Sequence, residues 1–168
     1  MSELDQVWSN MLDEASTRAR DAGRHDVAEY LRLRATNDAI RRAGVAWLLD
    51  SMIEIAAHAK RERRNLTIER EEPHNFAVGS SNMVGSRLKV SQGVRCLTIE
   101  AGWARTPSDG IMRNGSLAFA RISHFGLAKV GAELRLVHAD LLPQWLGPNE
   151  LVIDTTELRR HFDYFVGS

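Results

Sequence analysis

A chain of 168 residues with 43% hydrophobic and 26% charged residues holds enough apolar material for one packed core, which excludes general disorder and any need of a disulfide or metal to fold. Its 22 basic and 22 acidic residues cancel, its one cysteine (Cys96) excludes an internal disulfide and suits a reducing compartment, and no apolar run approaches the ~20 residues of a membrane span. The acidic opening Met-Ser-Glu-Leu-Asp-Gln lacks the apolar segment of a signal peptide, so a cytoplasmic setting is expected.

The neutrality hides an asymmetry. Between residues 85 and 131 stand seven basic residues (Arg87, Lys89, Arg95, Arg105, Arg113, Arg121, Lys129) and two acidic ones (Glu100, Asp109), a local surplus of five. Acidic residues are in excess over 1–35 and 132–168. Either basic strands pair with acidic helices inside one domain, or the surplus is an anion-binding surface.

Residues 2–22 place Leu4, Val7, Trp8, Met11, Leu12, Ala15 and Ala19 on one helical stripe, with Ser2 and Asp5 for a cap and Gly23 for a stop. A second helix is expected over 26–35 with Val27, Tyr30 and Leu31 inward, and Thr36-Asn37-Asp38 can cap a third. That third helix, 38–64, has the strongest pattern: Ile40, Gly44, Leu48, Met52, Ile55 and Ala59 keep helical spacing, and Lys60 to Arg64 set cations at the negative end of its dipole.

From residue 66 the apolar positions alternate. Leu66 and Ile68 open a strand, and 74–78 forms a short one after Pro73. Gln92-Gly93 turns a hairpin between 84–91 and 94–103. A loop with Pro107, Asp109-Gly110 and Asn114-Gly115 follows, then strands over 117–125 and 134–140. Pro143 and Pro148 break up 141–149, 151–153 is a last short strand, and Asp154 with Glu157 forms a capping box that opens a helix over 155–165.

The expected fold is α+β. About three N-terminal helices pack on a mostly antiparallel sheet of five or six strands, with a short C-terminal helix. Residues 1–168 are read as a single domain with a helical part (1–64) and a sheet-rich body (65–168). A parallel α/β fold is not expected, because the strands succeed one another without crossover helices.

Three sets of residues carry the candidate chemistry. The 103–116 loop offers Arg105, Ser108, Arg113, Asn114 and glycine amides to a phosphate or carboxylate, with Trp103 at its base for stacking. Arg87, Lys89, Arg95 and Arg121 are candidates for a basic stripe that meets nucleic-acid phosphates. His74, His124 and His138 sit on separate strands, and with Glu100 and Asp140 they are the candidates for acid–base or metal chemistry. Their spacing matches no metal motif, and no cofactor is expected. Cys96 reads as inert strand packing. Gly126 and Gly131 have the spacing of a phosphate loop, but Ala132-Glu133 stands where Lys-Ser/Thr belongs.

The favoured reading is a small binding protein, not an enzyme. Its basic sheet face and 103–116 loop would engage an anionic ligand: a phosphate-bearing small molecule, nucleic acid or an acidic protein surface. One alternative is an enzyme with a histidine and carboxylate pocket, with or without metal. Another is an oligomerisation or assembly module in which the first and third helices form a homodimer or dock a protein partner.

Overall fold

The computed structural model describes residues 3–62, 65–110, 112, 115–139 and 142–167. Ser2, Arg63, Arg64, Arg113, Asn114 and Asp140, to which the sequence assigns a cap, a helix end, loop donors and an acid, lie outside the described residues. The described residues form three α-helices and six strands: α1 (Glu3–Asp21), α2 (His25–Lys60), β1 (Leu66–Val78), β2 (Ser81–Gln92), β3 (Arg95–Trp103), β4 (Ala118–His124), β5 (Ala132–Ala139), β6 (Leu142–Leu146) and α3 (Thr155–Val166). The fold is α+β with an antiparallel sheet. Among the described residues no helix is long and apolar enough to cross a membrane.

Contacts divide the chain into two compact units, Met1–Ala43 and Gly44–Ser168. In the first, α1 stops before Gly23, whose φ of 76° is the left-handed conformation a helix end favours. Trp8 Nε1 donates to Asp38 Oδ2 at 2.7 Å, Arg41 Nη1 donates to Asp38 Oδ1 at 2.7 Å, and the Arg34 guanidinium lies 5.0 Å from the Trp8 ring centre. These donors explain why α2 is one helix where the sequence suggests two. Asp38 is buried and spends one oxygen on Trp8 of α1 and the other on Arg41 one turn further along α2 instead of on a cap, and Thr36 Oγ1 bonds back to Arg32 O inside the helix. Tyr30, placed inward by the sequence, is 62% exposed, and Leu4, Val7 and Met11 of the α1 stripe are also exposed. The buried apolar side of this unit is narrower than its apolar stripe and centres on Leu12 and Ala28.

In the second unit the six strands follow in the order β1-β2-β3-β4-β5-β6, every neighbouring pair antiparallel. One face is the core. Leu88, Ile99 and Ile122 stand opposite one another across three strands, and all are buried. The α2 segment from Gly44 onward buries Leu48, Leu49, Met52, Ile55 and Ala56. It approaches β5 closely: a Cβ on Gly44 would stand 2.6 Å from Leu136 Cδ2, and Trp145 Nε1 donates to Gly44 O at 2.9 Å. α3 lies against β3 and buries Leu158, Phe162 and Phe165. Its start is the one the sequence predicts, with Asp154 Oδ1 accepting from Glu157 N at 3.0 Å.

Two prolines that read as strand breakers stand inside strands. Pro73 lies in β1 where the pairing register shifts, and Pro143 lies in β6. Both are edge strands, where a missing N–H leaves no ladder bond unmade on the outer side. Residues 151–153 contribute a single bridge, Leu146 to Val152, instead of a strand.

The far end of the β1–β2 hairpin curls over the other face of the sheet. β1 and β4 are three places apart, about 14 Å in a flat sheet. Yet Arg121 Nη2 of β4 donates to Ala77 O of β1 at 3.0 Å. Gly85 and Gly102 face each other at the bend, and a Cβ on Gly85 would meet Ala101 O at 1.9 Å. Phe76 and Met83 are buried under the curl.

Candidate functional site

The sequence-predicted cations fall into separate settings. Arg87 and Arg121 belong to one row across five strands, in which pairing register sets Glu71 opposite Arg87, Arg87 opposite Glu100, Glu100 opposite Arg121 and Arg121 opposite Glu133. Charge alternates along the row. Arg87 meets Glu71 at 2.5 Å, and Arg121 stands 3.8 Å from Glu100 and 3.6 Å from Glu133. Lys89 stands opposite Glu69. Arg95 serves the C-terminus of α3, donating to Phe165 O at 3.4 Å. The Arg105 guanidinium stacks 3.7 Å from the centre of the buried Trp103 ring and donates to Val84 O.

The described part of the 103–116 loop is closed on itself. Asp109 Oδ2 accepts from the backbone N–H of Thr106 at 3.1 Å and of Arg105 at 3.2 Å, and from Thr106 Oγ1 at 3.1 Å. These donors, the Thr106 N–H foremost, hold the Asp109 carboxyl below its usual range. Arg113 and Asn114 lie outside the described residues.

The three histidines do not converge. His74 pairs with Glu100, Nε2 to Oε2 at 2.6 Å, on the face that carries the charged row. His124 is buried on the core face, and His138 is exposed opposite Pro143. Among the described residues no group of three metal-ligating side chains forms. The fold nonetheless joins residues from two of the sets, since Glu100 lies between His74, of its own set, and Arg121 of the basic stripe.

His124 has a partner that sequence reasoning did not find. Its Nε2 stands 3.1 Å from Nδ1 of His161 on α3, and the two rings stack with centres 5.4 Å apart. Burial pushes the His124 imidazole below its usual pKa. Burial first, then the neighbouring His124 and Arg160, push His161 down to about 4, against a smaller opposing pull from Glu157. Both rings are therefore neutral at pH 7.

Each ring of this pair borders a hollow. The chain between β4 and β5 closes as a 3₁₀ turn, Ala128–Val130, and cavities lie on both sides of it. His124 lines one of about 590 Å³ together with Arg121, Glu133 and Gly126. His161 lines the other, a cleft of about 350 Å³, with Lys129, Arg160, Tyr164, Asn149 and apolar walls from Leu151 and Ile153. Among the described residues that line this cleft there is no carboxylate. Glu157 pairs with Arg160 at 2.5 Å from one side, and Lys129 has no ion pair among the described residues. Two signals in the sequence point here. The Gly126–Gly131 spacing brackets Lys129, and Arg160 and Tyr164 stand one helical turn apart on α3.

The chain matches no protein-family model, and comparison with curated proteins and with solved structures finds no match.

Proposed function

We propose that the Gly44–Ser168 unit binds a small anionic molecule in the cleft beside the Ala128–Val130 turn. One observation carries the reading. Lys129, with no ion pair among the described residues, and Arg160, paired with Glu157 on one side, line a cleft of about 350 Å³ with no carboxylate among its described lining residues, whereas the row arginines each stand between two carboxylates. An anion gains most where cations face it without competing carboxylates and where apolar walls lower the local dielectric. The volume suits a compact ligand. The exposed ring of Tyr164 among the lining residues favours one whose anionic group is carried on a flat body. The lone Cys96 supports a reducing, cytoplasmic setting.

Calorimetric titration with inorganic phosphate and with phenyl phosphate, at low and at physiological salt, tests this. Affinity that weakens with salt and falls on Lys129→Ala or Arg160→Ala, but not on Arg87→Ala, supports the cleft. Equal losses for all three would move the site to the sheet, and no binding of either compound would remove it.

A second reading rests on a different observation. Leu4, Val7 and Met11 are 49%, 51% and 55% exposed at helical spacing on α1. Such a stripe suits a self-complementary contact with a second copy of the chain. Light scattering decides it: a monomer at high concentration would set this reading aside.

A further inference from the structure

A neutral imidazole carries one N–H and one lone pair. The His124–His161 pair, both rings neutral, therefore holds two ring protons, and one of them lies in the contact at 3.1 Å between His124 Nε2 and His161 Nδ1. Two nitrogens remain, His161 Nε2 and His124 Nδ1, on residues that line different cavities. Their states are linked. If His124 Nε2–H donates, His161 Nδ1 accepts, and the His161 proton must sit on Nε2. Both rings are then Nε2–H tautomers, and His124 Nδ1 is an acceptor. If the central bond runs the other way, both rings are Nδ1–H tautomers. The outer nitrogen of His161 is then an acceptor and that of His124 a donor. In the neutral pair, one outer nitrogen donates while the other accepts.

The charged oxygens of an anion are acceptors, and those are the atoms that cations draw to themselves. Resting on the cleft as the anion site, we propose that His161 Nε2–H is a third donor to the bound anion beside Lys129 and Arg160, that His124 is the positioning residue which holds it in that tautomer, and that His124 Nδ1 is thereby left as an acceptor at the neighbouring cavity. The charged groups around the pair agree with neutral rings. Burial disfavours charge on both rings, and at His161 the neighbouring Arg160 opposes a positive charge more strongly than Glu157 favours it. The linkage also couples the cavities. A ligand that donates to His124 Nδ1 strengthens anion binding in the cleft, and an anion in the cleft strengthens that donor by the same factor.

The test is long-range ¹H–¹⁵N NMR of protein labelled at histidine nitrogens, at pH 7, titrated with inorganic phosphate. With phosphate bound, both rings are expected as neutral Nε2–H tautomers. His124→Gln, whose amide can still donate to His161 Nδ1, is expected to keep phosphate affinity within about twofold, while His124→Phe lowers it about fivefold. Phosphate bound with both rings in the Nδ1–H form, with an imidazolium at His161, or with His124→Phe binding as well as native would overturn the tautomer proposal and leave the cleft standing. No phosphate binding at all would remove the cleft and this proposal together.

Discussion

The charged row on the sheet and the cleft beside the Ala128–Val130 turn draw on the same basic stretch of sequence and use it in opposite ways. Arg87 and Arg121 enter a ladder in which antiparallel register delivers a carboxylate from each neighbouring strand. Lys129 leaves the ladder at the turn after β4 and meets Arg160 and His161 from a helix further along the chain. Part of the surplus of five charges in the stretch is thus met within the sheet. Two of the partners that offset it, Glu71 and Glu133, lie outside the stretch and are brought in by strand pairing. Lys129, in the turn where strand pairing stops, has no ion pair among the described residues.

Four experiments sharpen or break this contrast. The largest effect is expected from Gly85→Ala, because the added Cβ would meet a backbone oxygen of the adjacent strand at 1.9 Å, with no flexible side chain to yield. A loss of about 3 kcal/mol in chemical denaturation is expected. Near-native stability would mean that the sheet bend is not held as described.

Next comes acid. The folded chain resists a proton at His161 down to pH about 4, while the unfolded chain accepts one near 6.5. The unfolded state binds more protons between these values, so stability is lost as pH falls through that window, by on the order of 3 kcal/mol. Melting curves from pH 7 to pH 4 check it, and His161→Gln is expected to flatten the profile.

Third, Lys129→Ala is expected to weaken phosphate in the cleft about tenfold, and Lys89→Ala, on the sheet, to leave it unchanged. Reversal of that order would assign the anion to the ladder.

The smallest effect belongs to the ladder itself. Arg87 and Glu71 are about half exposed, so a double-mutant cycle on the pair is expected to give about 0.5 kcal/mol. A coupling of several kcal/mol would mean that the row is a structural core and not a solvated ornament of the sheet.

The sequence made the elements legible where a local rule governs them. Alternation located β2, β3 and β4, Gly23 ended α1, and Asp154 with Glu157 opened α3. It misled where a distant partner overrides the local rule. Thr36-Asn37-Asp38 has the composition of a cap, but Trp8, some thirty residues away, takes the Asp38 carboxylate and the helix runs on. Pro73 and Pro143 read as breaks because a single sequence does not say which strands will be edges. The site shows the same division. Glu100 and His74 belong to one candidate set, but the sequence does not say which of the three histidines the carboxylate meets. His161 carries no signal of its own, since its significance is a contact with a residue 37 positions earlier.

The position of β1 at the rim of the sheet has a consequence for the protein in a crowded solution. A strand of 13 residues with neighbours on one side is a template for another chain's backbone. Its middle reads Glu69-Arg70-Glu71-Glu72, followed by Pro73, which has no N–H to give. An incoming strand would have to approach four consecutive charges and then skip a hydrogen bond, and a second β1 arriving antiparallel would bring the same acidic excess with it. This rim is built to repel its own kind, which guards the sheet against fibrous stacking.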